Sequence, residues 1–417
     1  MRVLDLFSGI GGFSLAAHAV GFDTLAFCEI EPFAQRVLAR HFPGVPVFYD
    51  VKELTADDLA DAAEGYAQGG ELPAREPSGD DGRVSQQHRG GGDSLLLTAG
   101  FPCQDISYAG KGAGLAGERS GLFYEVARLV GELRPDYVLL ENVAALLTRG
   151  LDAVLGTLAS LGYDALWACV PACAVGAPHR RDRVWLLAIP ESPDSKQRLE
   201  AMYAHVLSRL TPYKDGGFCE NVPVNALLGR AVWPTPRSQA RERDERDERE
   251  YRSNIEHAVC LTHKDDSGSL NPSWVETLMG YPIGYTLPEG EPLVTLPRVW
   301  PSDSPDGRGW MTPKSGDSVF ASGSTSGRSR EMSTHLPTQV KLTQTWPAGL
   351  GAPQHEWEPP RLTSVKQYRA PRLKCLGNSI VPEVALLWME AIRQNAPATC
   401  EGIQACDDVQ HREQVGR

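Results

Sequence analysis

Residues 2–21 read RVLDLFSGIGGFSLAAHAVG, and this stretch decides the fold class. The run RVLDLF is short and apolar, as in a buried strand, and it breaks at SGIGG. The following FSLAAHAV has the apolar spacing of a helix, and Gly21 is placed to end it. The order strand, glycine turn, helix predicts the first unit of a parallel α/β sheet.

The same alternation of strands and helices continues as far as residue 190. Further strands are predicted at DTLAFCEI (23–30), SLLLTAG (94–100), DYVLLENV (136–143) and DRVWLLAI (182–189). Five strands separated by helical segments predict an α/β fold with a doubly wound, mostly parallel sheet. The polar, glycine-rich residues 65–93 interrupt this pattern and are predicted to form a surface insertion.

The chain changes character after Pro190, where regular periods give way to Pro, Ser, Trp and Gly. We therefore predict a first domain over 1–190 that residues 371–395 complete. A second, smaller and irregular domain is predicted over 191–370. The polar residues 396–417 are predicted to form a flexible tail.

The formal net charge of −12 argues mildly against a polyanionic partner, so binding to nucleic acid requires local positive charge. Residues 361–374 (RLTSVKQYRAPRLK) provide such a patch, with five basic residues and no acid. Residues 237–252 carry six basic and six acidic residues, and we interpret them as a solvated helix or a flexible arm.

With 417 residues, 41% hydrophobic and 23% charged, the composition is that of a soluble globular protein and excludes a fibre, a disulfide mini-protein and a disordered chain. No signal peptide and no apolar run of membrane-spanning length is apparent, so we expect a cytoplasmic protein. Nine scattered cysteines suit a reducing compartment. Cys169 and Cys173 could begin a zinc site, but no second pair follows at finger spacing, and no metal is predicted.

The turn at Gly9, Gly11 and Gly12 is followed about twenty residues later by Glu29, at the end of the second strand. Glycines let a backbone approach a ligand closely, and such an acid can accept hydrogen bonds from ribose hydroxyls. This predicts a nucleoside ligand, although Ser14 replaces the third glycine of the dinucleotide pattern and tight turns also use glycine structurally. Asp50 could bind an adenine amino group, or it could cap the segment VKEL.

GFPCQDIS (100–107) places Cys103 at the carboxyl end of a parallel strand, where α/β folds bind ligands. The polar, turn-like surroundings favour a nucleophile over a buried structural cysteine. The following AGKGAGLAGERSG carries Lys111 and Arg119 and is predicted to be a mobile basic lid.

Glu141 and Asn142 end the strand DYVLLENV at the same edge. A carboxyl group there should have a raised pKa and could donate a proton, or it could cap the next helix. Arg181 and Arg183 lie two residues apart at the head of DRVWLLAI, so both are expected on one side, binding a carbonyl, a phosphate or a nearby acid.

Together, DLFSGIGGF, GFPCQ, ENV, the arginine doublet of PHRRDR and LGNSIVP resemble, in order and spacing, the motifs of DNA cytosine-5 methyltransferases of the bacterial or phage type. The resemblance covers roughly residues 1–190 and 360–395. It implies a Rossmann-like, S-adenosylmethionine-dependent methyltransferase fold, with residues 191–370 as a target-recognition domain for double-stranded DNA.

The resemblance also implies roles for individual residues. Cys103 would add to C6 of a flipped cytosine, Glu141 would hold and protonate N3, Arg183 would contact the base and support Glu141, and Arg181 is similar in position. Cofactor contacts are implied for Phe7, Gly9, Gly11, Glu29, Ile30, Asp50, Pro102, Leu122 and Asn378. DNA contacts are implied for Gln104, Ser107, Lys111 and Arg119.

The chain departs from the family pattern at His179, where the doublet motif usually has glutamine, and at NPSWVETLMGYP (271–282), an altered form of the ninth motif. The alternatives are a tRNA cytosine-5 methyltransferase, an amino-methyltransferase using NPSW at 271, a DNA-binding module without catalysis, and an NAD oxidoreductase. We expect a monomer with a cognate restriction endonuclease as a partner, and no membrane partner.

Overall fold

The computed structural model describes residues 1–68, 94–102, 121–210, 233–236, 255, 258–259, 268–288 and 346–396, with backbone alone for 63–68. Cys103, the basic lid, the segment 237–252 and nearly all of the predicted tail therefore lie outside the described residues.

The first domain contains a seven-stranded sheet in the order β3-β2-β1-β4-β5-β7-β6. Strands β1 to β5 are parallel, whereas β7 runs antiparallel to both β5 and β6. This confirms the mostly parallel sheet predicted from the sequence. The strands are β1 Arg2–Leu6, β2 Asp23–Cys28, β3 Val47–Phe48, β4 Leu95–Ala99, β5 Tyr137–Val143, β6 Tyr163–Pro171 and β7 Asp182–Pro190.

Helices cover both faces of the sheet. Successive strand residues point to opposite faces, so Val3 and Leu139 lie in one apolar core while Leu4 and Leu140 lie in the other. The helices are α1 Gly12–Ala19, α2 Pro32–His41, α3 Ala56–Gln68, α4 Leu122–Leu133, α5 Leu151–Ser160, α6 Ser195–Arg209, α7 Pro272–Leu278, α8 Arg369–Asn378 and α9 Pro382–Asn395. Two short strands, β8 Ser269–Leu270 and β9 Leu362–Thr363, pair antiparallel away from the main sheet.

Three features differ from the sequence-based expectation. Strand β6 was not predicted, and β7 is antiparallel. The expected insertion at 65–93 also begins later, because the alanine-rich helix α3 continues to Gln68.

The direction of β7 places its first residues at the carboxyl edge of the parallel strands. In the ladder Val143 is opposite Arg183, and Asn142 is opposite Val184. The head of a parallel strand would lie at the other edge. The reversed strand therefore brings the arginine doublet beside the ends of β4 and β5.

The last helix returns to the first domain. Helix α9 packs against α1 and α6, and its Trp388 and Met389 are completely buried in the core that contains Phe13 of α1. Burial of each such side chain is worth about 2 kcal/mol. Helix α9 is thus a structural part of the sheet domain.

Residues 271–288 are held to α8 by a buried ion pair and to the glycine turn by a hydrogen bond. Glu276 accepts hydrogen bonds from the backbone N–H groups of Gly284 and Thr286, and from Nη2 of Arg372 at 2.8 Å. The hydroxyl of Tyr285 donates to the carbonyl of Ile10 at 2.9 Å. The altered ninth motif therefore ties α7 to α8 and to the first domain.

Among the described residues, no single helix has the length and apolar content to cross a membrane, and only the bent pair α8 and α9 meets that test jointly. The same residues contain no group of three or more His, Cys, Asp or Glu side chains that could hold a metal.

Glu276→Gln should lower the free energy of unfolding by roughly 3–5 kcal/mol, because it leaves the Arg372 guanidinium buried without its counter-charge. Urea denaturation would measure this, and the double variant Glu276→Gln/Arg372→Met should recover part of the loss. Wild-type stability of the single variant would contradict the prediction.

Candidate active site

A carboxylate and a glycine form a cradle at the ends of β1 and β2. Glu29 accepts the N–H of Gly9 at 2.7 Å with one oxygen and the N–H of Glu31 at 2.8 Å with the other. Gly9 has φ 54, and a Cβ placed on it would meet no atom within 4 Å, so open space adjoins the turn. A carboxylate can accept further hydrogen bonds, and this cradle can therefore bind hydroxyl groups of a ligand.

Other predicted cofactor residues surround this cradle. The pKa of the Cys28 thiol is raised to about 12, mainly by burial and further by the charges of Glu29 and Asp50, so both carboxylates lie near that thiol. Ile30 exposes 55% of its surface at this edge, an unusual position for a large apolar side chain. Phe7 has a left-handed backbone, with φ 53.

Asp50 follows β3 and closes a turn. Its Oδ1 accepts the N–H of Lys52 at 3.0 Å, and its carbonyl accepts the N–H of Glu53 at 3.1 Å. The capping alternative is therefore correct for one carboxylate oxygen, although the segment forms a turn and not a helix. Oδ2 has no hydrogen-bond partner among the described residues, so it can still accept from a ligand.

Gly11 and Gly12 lie where neighbouring side chains leave no room for a Cβ atom. A Cβ on Gly11 would lie 2.8 Å from the ring of Phe42 and 2.9 Å from Leu38, and one on Gly12 would lie 2.5 Å from the hydroxyl of Tyr281 and 2.6 Å from Ile380. The structural alternative explains both glycines, and the proposed role of Gly11 in cofactor binding stays a prediction.

Beneath the glycine turn lies a buried polar network that the sequence analysis missed. Asp5 accepts the hydroxyl of Ser14 at 2.9 Å and that of Thr98 at 3.1 Å. Burial raises the pKa of Asp5 to about 7, and the two hydroxyl hydrogen bonds oppose this rise. The available signals were an acid inside an apolar strand and the serine that replaces a glycine at position 14.

The buried Glu141 and the half-buried Arg183 form an ion pair at the ends of β5 and β7, with Oε1 and Nε 3.0 Å apart. Burial raises the pKa of Glu141, while the charges of Arg183 and Arg181 lower it, with a net rise. A Cβ on Gly100 would lie 3.5 Å from Oε2, so the carboxylate sits beside the segment that leads to Cys103. The predicted proton donor is therefore protonated to a higher pH than an exposed glutamate.

The neighbouring Asn142 contacts the segment that follows β4. Its amide donates to the carbonyl of Phe101 at 3.3 Å. Pro102 follows directly, whereas Cys103, Gln104, Ser107, Lys111 and Arg119 lie outside the described residues.

Arg181 has different partners from Arg183, contrary to the expectation of one shared side. It precedes β7 with φ 38, so strand alternation does not apply to it. Its buried guanidinium donates to the carbonyls of Gly377, at 3.3 Å, and Ser379. These carbonyls flank the exposed Asn378 at the end of α8, so Arg181 joins that loop to the edge of the sheet that holds Glu141 and Arg183.

Comparison with known proteins shows the family to which this chain belongs. The model of the C-5 cytosine-specific DNA methylases matches residues 1–69 and 76–294, more than half of the chain. The chain belongs to the C-5 cytosine-specific DNA methylase family.

Among relatives of this methylase, the Type II methyltransferase M2.BsuMI of Bacillus subtilis is 35% identical over 45% of this chain and 42% of its own length. The Type II methyltransferase M.CviJI of Paramecium bursaria Chlorella virus IL3A is 31% identical over 49% of this chain and 47% of its own length. The matched region thus spans about half the length of these relatives. The S. pombe Dnmt2 methyltransferase structure is 16% identical, covering 94% of this chain and 99% of that chain, and its TM-score of 0.48 is too low to support an argument.

His179 of this methylase replaces the usual glutamine and contacts α7. Its Nε2 lies 2.9 Å from the carbonyl of Leu278, and burial lowers its pKa to about 3. The neutral ring must carry its proton on Nε2 to donate this bond. The substitution therefore links the arginine doublet to the ninth-motif helix.

Asn271 of NPSW is used structurally. Its side chain accepts the N–H of Ser273 at 3.0 Å as the N-cap of α7, and its amide donates to the carbonyl of Pro360 at 2.7 Å. These contacts leave no support for the amino-methyltransferase alternative at this position.

Asp5→Asn should remove part of the pH dependence of stability. The folded-state pKa of Asp5 in the wild type, near 7, exceeds the ordinary value of 3.8. The stabilisation that Asp5 contributes to the wild type is therefore complete below about pH 4 and is lost as pH rises to about 7. The free energy of unfolding of the variant, relative to wild type, should rise by up to about 4 kcal/mol across this window. Urea titrations at several pH values would measure it.

Asp23→Asn is the control, because Asp23 is an exposed aspartate at the start of β2. A difference between Asp5→Asn and wild type that stays constant with pH would contradict the prediction.

Proposed function

We propose that this methylase transfers a methyl group from S-adenosylmethionine to carbon 5 of a flipped cytosine in a specific double-stranded DNA sequence. Family membership supports the reaction class. The observation that carries the proposal is the ion pair of the buried Glu141 with Arg183 beside Gly100, three residues before Cys103.

The cradle at Gly9 and Glu29 fits the adenosyl part of the cofactor. Glu29 would accept the ribose hydroxyls, Oδ2 of Asp50 would accept the adenine amino group, and the exposed Ile30 would cover one face of the base. S-adenosylmethionine, when bound, supplies an activated methyl group. The other residues proposed for this pocket are Phe7, Gly11, Pro102, Leu122 and Asn378.

The proposed chemistry begins with the thiolate of Cys103, which forms a bond to C6 of the cytosine as N3 accepts the proton of Glu141. The raised pKa of Glu141 keeps that proton available to a higher pH than an exposed glutamate would. Addition makes C5 nucleophilic. After C5 is methylated, its proton is transferred to a solvent water, the S–C6 bond breaks to restore the C5–C6 double bond and release the Cys103 thiolate, and N3 returns its proton to Glu141.

Arg183 keeps the Glu141 carboxyl in place and contacts the base in this proposal. Arg181 contributes its charge near Glu141 and holds the loop around Asn378 through the carbonyls of Gly377 and Ser379. The base must leave the duplex to reach these groups.

DNA contacts are proposed for Gln104, Ser107, Lys111 and Arg119, and groove reading is proposed for residues 191–370. A cognate restriction endonuclease, a monomeric state and a cytoplasmic location are also part of the proposal. The relatives that are type II methyltransferases support the endonuclease partner.

Purified protein should transfer labelled methyl to double-stranded DNA, and digestion should yield 5-methylcytosine. Cys103→Ser should reduce transfer at least about a thousandfold, because the nucleophile is lost. DNA containing 5-fluorocytosine at the target should trap a covalent complex, since fluorine cannot leave as a proton. Labelling of tRNA in place of DNA would favour the alternative substrate, and equal labelling by Cys103→Ser would falsify the mechanism.

Arg183→Met should slow transfer and move the high-pH limb of the single-turnover rate to higher pH. Arg183 lowers the pKa of Glu141, so its removal raises that pKa and the carboxyl stays protonated to higher pH. Arg180→Met is the matched control, because Arg180 is the neighbouring arginine and pairs with Asp182 at 2.6 Å. A limb that stays at its wild-type position would contradict the assignment of Glu141 as proton donor.

A further inference from the structure

Arg128 of α4 uses all three of its guanidinium nitrogens. Nε lies 2.9 Å from Glu125 and Nη1 lies 3.0 Å from Glu132, one turn before and one turn after it on the same helix. Nη2 donates to the backbone carbonyls of Val51, at 3.0 Å, and Leu54, at 2.9 Å. The two acids hold the guanidinium in one orientation, and that orientation directs Nη2 at the loop after β3.

The loop to which Arg128 donates these hydrogen bonds begins at Asp50. Asp50 closes its own turn through Lys52 and Glu53, as described above, so the direction of its carboxylate depends on the shape of residues 50–54. Val51 and Leu54 are buried in the core that also contains Phe123 of α4. Apolar packing therefore holds the loop against α4, while Arg128 fixes the direction of its carbonyls.

Helix α4 also begins at Leu122, another residue of the proposed cofactor pocket. The hydrogen bonds from Arg128 to Val51 and Leu54 therefore fix two walls of that pocket relative to each other: the first turn of α4 and the Asp50 turn. No motif that supports family membership includes Arg128.

We propose that Arg128 is a positioning residue that sets the adenine specificity of this methylase by holding Oδ2 of Asp50 toward the adenine amino group. The inference rests on the proposed function, because it requires an adenosyl ligand in the Gly9 pocket. Arg128 itself touches no ligand in this scheme and acts through the carbonyls of Val51 and Leu54.

Calorimetric titration of the full chain with two ligands tests the proposal. The ligands are S-adenosylhomocysteine and its 6-deamino analogue, in which hydrogen replaces the adenine amino group. Arg128→Met should weaken S-adenosylhomocysteine about tenfold, the effect of losing one hydrogen bond to a charged acceptor. It should leave the affinity for the analogue within about twofold of wild type, because the analogue has no amino group for Asp50.

The matched control is Arg134→Met. Arg134 caps the other end of α4 and likewise donates to a backbone carbonyl, that of Leu161, but at the opposite edge of the sheet. It should bind both ligands as wild type does. Arg128→Lys, which retains the charge without the fork, should give an intermediate loss and serves if the methionine variant does not fold.

Coupling to Asp50 gives a second readout. Asp50→Asn should weaken S-adenosylhomocysteine, and Arg128→Met should add nothing further in that background, because both changes remove the same contact. Equal weakening of both ligands, or full additivity with Asp50→Asn, would overturn the positioning role. Failure of the wild type to bind S-adenosylhomocysteine would overturn the proposed function itself, whereas wild-type affinities in Arg128→Met would overturn only this inference.

Discussion

The antiparallel direction of β7 holds Arg183 against Glu141, and the proposed active site depends on this contact. In a parallel β7 the same arginine would lie at the opposite end of the sheet, about 20 Å away at 3.3 Å for each of the seven residues of β5. A lone carboxylate with the burial of Glu141 would then bear its desolvation without a partner. The reversed strand therefore supplies the charge that makes a buried acid tolerable where the proposed chemistry needs one.

The same edge collects several carboxyl groups whose pKa values burial raises. Asp5 reaches about 7 and Glu383, at the start of α9, reaches about 8, while Glu29 and Glu141 are also raised. Each of these groups destabilises the fold near neutral pH relative to an exposed acid. The two apolar cores on either side of the sheet offset this cost, and helix α9 contributes to one of them.

Much of this arrangement could be predicted from the sequence, because it depends on short-range patterns. The glycine turn and Glu29 at the end of the next strand could be assigned to one edge of the sheet, since parallel strands end at one edge; the hydrogen bond between Gly9 and Glu29 is seen only in the structure. The direction of β7 could not be predicted, because an apolar run reads the same in either direction. Strand β6 escaped notice because its residues from Asp164 to Cys169 are only partly buried and lack a clean alternation.

The hydrogen-bond partners of individual arginines also could not be predicted from the sequence pattern. Arg181 leaves the strand geometry through a left-handed backbone, and it meets carbonyls almost 200 residues further along the chain. Nothing in the sequence distinguishes Arg128 from the other charged residues. Only the fold shows that its guanidinium reaches Val51 and Leu54.

The return of α9 to the sheet domain has a consequence for biosynthesis. Its buried face covers α1 and α6, yet it emerges from the ribosome about 200 residues after β7. At roughly 5–20 residues per second, the uncovered apolar surface persists for tens of seconds in a nascent chain. During that interval the uncovered faces of α1 and α6 offer chaperones a binding surface. A chain truncated before α9 therefore leaves the apolar faces of α1 and α6 uncovered.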